Sequence, residues 1–190
     1  MDNLTEESIK VDIKRMLQYI GEDPNREGLL DTPSRVVRSW KELYKGYDQN
    51  PKDILKAIFT EKQYNELVLV RDIEFYSMCE HHILPFYGKI HIGYLPKKGK
   101  VVGLSKLARL VECFTRRLQI QERIACDIVD AIQKYLSPQG CGCIIEAKHL
   151  CMMSRGIEKQ NCNVVTIALR GNMLKGSLKS EFLGVCLNEK

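Results

Sequence analysis

The sequence predicts an α+β protein: an antiparallel sheet in the order ββααββ with its helices on one face, preceded by N-terminal helices. Three observations carry that prediction. Apolar residues recur at helical spacing up to Gly46, the pattern switches to strand-like alternation from Glu66, and two long amphipathic stretches separate two pairs of strand-like segments. The expected boundaries are residues 1–65 for the helical section and 66–190 for one compact domain that carries the sheet.

Ile9, Ile13, Met16, Leu17 and Ile20 define the first helix, behind a Thr5 cap, with Glu6 and Glu7 favoured by the N-terminal dipole and Gly21 as its stop. Thr32 followed by Pro33 reads as an N-cap and first helical position, with Val36, Val37, Trp40, Leu43 and Tyr44 on one face until Gly46. A short third helix follows Pro51. Leu67 to Tyr76 is dense in β-branched and aromatic residues, and Tyr87 to Tyr94 sets Ile90, Ile92 and Tyr94 on one face at period 2. After the turn at Lys97 to Lys100, Ser105 is expected to cap a helix striped by Leu107, Leu110, Val111 and Phe114. The next helix carries Ile124, Ile128, Ala131, Ile132 and Tyr135, ending at Ser137-Pro138. Strands are expected from Cys141 to Met152 and from Asn163 to Arg170, then a short segment around Glu181 to Leu187.

With 190 residues, 44% hydrophobic and 28% charged, the chain can bury one substantial core, and its composition excludes collagen and wholesale disorder. It contains no apolar run near the roughly 18 to 20 residues a membrane span requires. The first residues lack the basic opening and apolar stretch of a signal peptide, so the eight cysteines are expected in a reducing cytoplasm, as thiols or metal ligands. Charge is uneven. Residues 1–75 carry 12 Lys+Arg against 15 Asp+Glu, and residues 76–190 carry 17 against 9, a basic region that suits an anion, whether nucleic acid or a phosphorylated small molecule.

Cys79-Glu80-His81-His82 lies where a strand ends, and Cys79 with His82 has the x2 spacing that lets one turn grip a zinc ion. His149-Leu150-Cys151 lies in a predicted strand, where positions i and i+2 share a face. A catalytic zinc takes three protein ligands and an open position, which would leave a histidine for proton transfer. Spacing does not choose the ligands, and Cys141-Gly142-Cys143 offers a closed structural site as a rival. Cys113, Cys126, Cys162 and Cys186 read as packing residues.

Neither G-x-x-x-x-G-K-[ST] nor G-x-G-x-x-G occurs, so side chains would have to hold a triphosphate. Gly103 to Arg109 offers a helix N-terminus with Lys106 and Arg109 at i and i+3. Glu122, within Gln121-Glu122-Arg123, presents two acceptors that match the N1–H and N2 donors of guanine and would oppose an acceptor on adenine. A capped basic helix and a helix-surface salt bridge are the plainer alternatives for these two segments.

Gly21-Glu22-Asp23-Pro24-Asn25-Arg26-Glu27-Gly28-Leu29, Asp31-Thr32-Pro33-Ser34-Arg35, Ser77-Met78-Cys79-Glu80-His81-His82, Gly103-Leu104-Ser105-Lys106, Gln119-Ile120-Gln121-Glu122-Arg123 and Arg155-Gly156 together resemble GTP cyclohydrolase I, in order and over nearly the whole chain. The resemblance implies the tunnelling fold (T-fold), whose subunit sheets pair edge to edge, and a homodecamer of two stacked pentamers. It implies Cys79, His82 and Cys151 as Zn2+ ligands, with His81 and His149 free for water activation and proton transfer and Ser105 assisting later proton movement. Glu122 with Gln121 would hold guanine, while Lys106, Arg109, Arg155 and Ser105 would contact the ribose triphosphate. Arg35 and Arg38 match basic positions reaching the same site, although Arg38 replaces a lysine familiar in relatives.

The implied reaction converts GTP and water to 7,8-dihydroneopterin triphosphate and formate, the first step of tetrahydrofolate and pterin biosynthesis, with no nucleic-acid or membrane partner. Departures fall at Asn161 to Ala168 and at Ala125-Cys126-Asp127, away from every matched ligand. A sister tunnelling-fold pterin enzyme, separated by whether GTP itself is converted, is the nearer alternative. A zinc-containing nucleic-acid module is the more distant one, and it would need a closed four-ligand site.

Overall fold

The computed structural model describes residues 4–61 and 64–187 and divides into two compact units, Met1–Lys45 and Gly46–Lys190.

In the first unit, α1 (Glu6–Tyr19) begins with a reciprocal cap in which Ser8 N–H donates to Thr5 Oγ1 at 3.2 Å and Thr5 N–H donates to Ser8 Oγ at 3.0 Å. Thr5 is therefore the cap the sequence indicates, and Ser8 takes the place of the glutamate common in such boxes. The helix stops ahead of Gly21, whose φ of 91° suits a residue without Cβ. The second helix, α2 (Thr32–Leu43), starts one residue earlier than expected. Asp31 precedes it, and Thr32 and Pro33 are its first two residues, where a missing proline N–H leaves no helical bond unmade. Ile13, Pro33 and Val37 are buried, and Glu6 pairs with Lys41 at 2.6 Å.

In the second unit, the short α3 (Pro51–Ile54) leads into a small ribbon of β1 (Ile58–Thr60) and β4 (Lys100–Val102). The main sheet contains β2 (Val68–Cys79), β3 (Pro85–Leu95), β5 (Leu118–Gln119), β6 (Gly140–His149) and β7 (Val164–Gly171), in the order β5-β2-β3-β6-β7. Four of these strands run antiparallel and match the expected ββ and ββ pairs. β5 adds a parallel edge of two residues, too short to show any periodicity. Between the pairs run α4 (Leu104–Thr115) and α5 (Gln121–Tyr135). Gly103, not Ser105, stands at the N-cap of α4, and Ser105 lies inside the first turn.

Alternation along the strands divides the apolar side chains between the faces. Phe75, Phe86, Ile90, Ile92, Tyr94, Cys143 and Ile145 pack against Leu107, Leu110, Val111, Ile124, Ile128 and Ile132 of the two long helices. Each such buried aliphatic side chain contributes roughly 1.5 to 3 kcal/mol. The opposite face has a smaller cover, because α7 (Ser177–Leu187) brings Phe182 and Cys186 onto Ile144 and Met173. Gly142 makes room for it: a Cβ there would lie 2.7 Å from both the Phe182 ring and Met173 Sδ.

Phe182→Ala should therefore open a cavity and lower stability by about 3 to 5 kcal/mol, read as a fall in the urea midpoint. An unchanged midpoint would mean that α7 contributes nothing to the packed sheet.

Candidate active site

Three chain segments meet at one end of the main sheet. β2 ends at Cys79, the turn through His82 leads back into β3, and β6, paired with β3, ends at His149 opposite Phe86. The turn is closed by Ile83 N–H donating to Cys79 O at 2.8 Å and Cys79 N–H donating to Leu84 O at 2.9 Å. β6 does not continue to Met152 as expected. Its last residue is His149, and the helical turn α6 (Leu150–Met153) carries Cys151. His149 and Cys151 are thus not two positions on one strand face. The change of backbone direction separates their tasks, sending the imidazole toward α5 and the thiol toward Cys79.

The donor atoms of Cys79, His82 and Cys151 lie within 4.8 Å of one another, and this is the one such group among the described residues. Two sulfurs and an imidazole nitrogen suit a borderline-soft divalent metal with a coordination position left over. Burial, and then the neighbouring Cys79, push the Cys151 thiol above its ordinary value, a penalty that a bound cation reverses by favouring thiolate. His81 contacts Cys79 from the same turn, with Nδ1 3.8 Å from Sγ. Arg155 Nη2 donates to His82 Nε2 at 2.9 Å, which brings a guanidinium beside the group.

The rival thiols lie elsewhere. Cys141 and Cys143 are fully buried in the helix-side core, and Cys141 Sγ donates to Val129 O at 3.5 Å. Burial pushes the Cys141 thiol up to about 12 and that of Cys143 further still. They behave as small apolar residues. Of the four cysteines expected as packing residues, Cys113 and Cys186 are buried, whereas Cys126 and Cys162 are exposed. Cys126 projects from α5, and Cys162 lies in the loop before β7, where no core faces it.

His149 is held on two sides. Its ring stacks on Phe86 with centroids 4.5 Å apart and planes at 5°, and Nε2 lies 2.8 Å from Gln121 Oε1. Burial lowers its pKa, while the Glu122 charge acts in the opposite sense. Gln121 and Glu122 open α5, with Gln121 buried and Glu122 exposed. The next residue, Arg123, grips both carboxylate oxygens of Glu80 at 2.5 and 3.1 Å, tying the Cys79–His82 turn to the start of that helix. Sequence reasoning missed Phe86, Thr166, whose Oγ1 accepts from Gln121 Nε2 at 3.2 Å, and the Arg123–Glu80 pair. Phe86 reads only as core, and the ion pair joins residues 43 positions apart.

Ser105, Lys106 and Arg109 lie on the first half of α4, with Ser105 and Arg109 exposed. No hydrogen bond among the described residues joins them to the Cys/His group. Arg35 and Arg38 are exposed on α2, within the N-terminal unit, and Arg35 pairs with Asp31 at 3.4 Å.

The family model described as GTP cyclohydrolase I matches residues 9–186. The chain belongs to the GTP cyclohydrolase I family. It is 56% identical over 184 residues to the GTP cyclohydrolase 1 of Chlorobium chlorochromatii, covering 96% of this chain and 82% of that protein. The same enzyme of Wolinella succinogenes is 52% identical over 173 residues, or 90% and 92% of the two chains. That of Campylobacter jejuni strain RM1221 is 51% identical over 179 residues, 94% of each. The crystal structure of the archaeosine synthase QueF-Like protein in the apo form overlaps 56% of this chain and 94% of that one, with a TM-score of 0.44 and 18% identity. As a member of the family the chain is an enzyme, a cyclohydrolase, and its α+β architecture is the tunnelling fold.

One metal ion per chain is expected by elemental analysis. Cys151→Ser should lose most of it and Cys143→Ala should retain it. Metal loss in the second variant alone would transfer the site to the buried thiols.

Proposed function

We propose that this chain holds Zn2+ through Cys79, His82 and Cys151 and converts GTP and water to 7,8-dihydroneopterin triphosphate and formate. The observation that carries this reading is the Cys/His/Cys group at the strand ends beside His149. Membership of the family supports GTP as substrate.

When bound, the zinc supplies a Lewis acid that makes water available as a nucleophile near neutral pH. Water adds at C8 of the purine, the C8–N9 bond breaks, and a formamide remains on the neighbouring nitrogen. His149, favoured as the neutral base by burial, takes a proton from the attacking water and returns it to the departing ring nitrogen. His81, on the ligand-bearing turn, serves the second hydrolysis, in which another water cleaves the formamide and releases formate. The ribose then opens and rearranges, Ser105 assists the proton movement, and ring closure to the pterin expels one water. Two waters enter and one leaves, giving the net consumption of one.

Glu122 accepts from N1–H and the N2 amine of guanine, a pairing that adenine cannot make. The N-terminal end of α5 favours its negative charge. Lys106, Arg109, Arg155, Arg35 and Arg38 neutralise the triphosphate. Family resemblance supports a homodecamer of two pentamers with the site shared between chains, and β7 supports it physically. This strand ends the sheet order and exposes Val165 and Ile167 at 47% and 46%, an edge that pairing with another chain would cover. Eight unpaired thiols support a reducing, cytoplasmic setting.

Incubation of the zinc-loaded enzyme with GTP should release one formate per GTP and a product that oxidises to a fluorescent pterin. Absence of formate would end this reading. Glu122→Gln should weaken GTP binding by about 1 to 3 kcal/mol, and an unchanged affinity would move the base pocket elsewhere. If sites are shared, the inactive variants Cys151→Ser and Arg109→Ala should recover part of the activity when unfolded and reassembled together. No recovery in verified mixed oligomers would confine each site to one chain.

A further inference from the structure

We infer that Gln121 is a positioning residue for His149: it holds the ring in the tautomer with hydrogen on Nε2, leaving Nδ1 as the nitrogen that exchanges a proton with substrate. The inference rests on the proton-transfer role proposed for His149 and names the atom that performs it.

The amide of Gln121 can lie only one way round. The side chain is 2% exposed, and its Nε2 donates to Ile145 O at 3.0 Å and Val164 O at 2.9 Å, with Thr166 Oγ1 a third acceptor at 3.2 Å. The two carbonyls belong to neighbouring strands, β6 and β7, and can only accept. Turning the amide over would set its oxygen against both of them, a loss of two buried hydrogen bonds with added repulsion. Oε1 must therefore face His149, where it lies 2.8 Å from the ring Nε2. An amide oxygen has no hydrogen to give, so the ring nitrogen donates. In a neutral imidazole the other nitrogen then carries the lone pair.

Phe86 makes the arrangement hard to escape. A half-turn of the imidazole would bring a ring carbon to the amide oxygen and forfeit the bond, and swinging the ring aside would break a parallel stack with centroids 4.5 Å apart. Among the described residues no hydrogen bond occupies Nδ1. One nitrogen is thereby committed to the scaffold and one left for chemistry, the division of labour that an orienting partner imposes on a catalytic histidine. While these bonds stand, the Gln121 amide hydrogens go to strand carbonyls and its oxygen accepts from His149, so the side chain serves the ring beside the exposed Glu122.

The zinc-loaded enzyme with 15N-labelled histidine rings contains only four such residues, and solid-state NMR reads the tautomer of each, with His149→Ala identifying the signals that disappear. His149 is expected as Nε2–H with an unprotonated Nδ1, and a neutral ring protonated at Nδ1 would overturn the inference. Gln121→Met keeps the length of the side chain without its hydrogen bonds. Its kcat should fall about 10- to 100-fold while zinc content and GTP affinity are retained. Lost GTP affinity with kcat retained would overturn the inference and give Gln121 to the base. If the parent enzyme released no formate from GTP, the proposed function would fail by itself. The ring measurement would still decide which nitrogen of His149 carries the hydrogen beside Gln121.

Discussion

The site depends above all on the register of β2, β3 and β6. Phe86 stands opposite His149 and Ser77 opposite Phe86, so the end of β2, the start of β3 and the end of β6 coincide. The pattern of buried residues enforces that alignment. Ile90, Ile92 and Tyr94 on β3 and Cys143 and Ile145 on β6 point into the helix-side core, and a slip of one residue would turn each strand's set outward. A shift that costs the core many kcal/mol would also draw Cys79 and His82 away from Cys151. Core packing and the geometry of the Cys/His/Cys group are thus one constraint.

At the same end of the sheet, α5 brings polar chemistry into a buried place. Gln121 bonds to two strands and to His149 at once, and a network of this kind stabilises only when every member is satisfied. The neighbouring positions work at the surface. Arg123 fastens the Cys79–His82 turn through Glu80, while Glu122 stays exposed. Three consecutive residues at the start of one helix therefore reach a half-buried histidine, open solvent and the Cys79–His82 turn, because successive helical positions are about 100° apart around the axis.

Much of this was legible in the sequence because it depends on local rules. The alternation of Ile90, Ile92 and Tyr94, the helical stripes through Phe114 and Tyr135, the Thr5 cap and the Cys79–His82 spacing are short-range patterns that backbone geometry dictates. The motif blocks identified the family, since residue order alone carries that information. Helix starts were less exact: Asp31 and Gly103, not Thr32 and Ser105, precede α2 and α4. At α4 a glycine stands where serine has the better capping chemistry, whereas Asp31 has capping chemistry at least as good as that of Thr32.

Tertiary structure decided what depends on distant partners. No pattern in residues 141–152 signals that the strand turns helical after His149, nor that Cys141 and Cys143 face a dry core while Cys151 turns toward Cys79. Both kinds of thiol look alike in sequence, and what separates them is proximity to other donor atoms, since Cys79 is buried as Cys141 and Cys143 are yet lies beside His82 and Cys151. Likewise the orientation of the Gln121 amide is set by carbonyls 24 and 43 residues away. The sequence by itself determined the long helices and the four long strands and which chemical groups the chain possesses. Folding decided which groups meet and which ring nitrogen is left free, because hydrogen-bond direction and burial exist only once distant strands stand side by side.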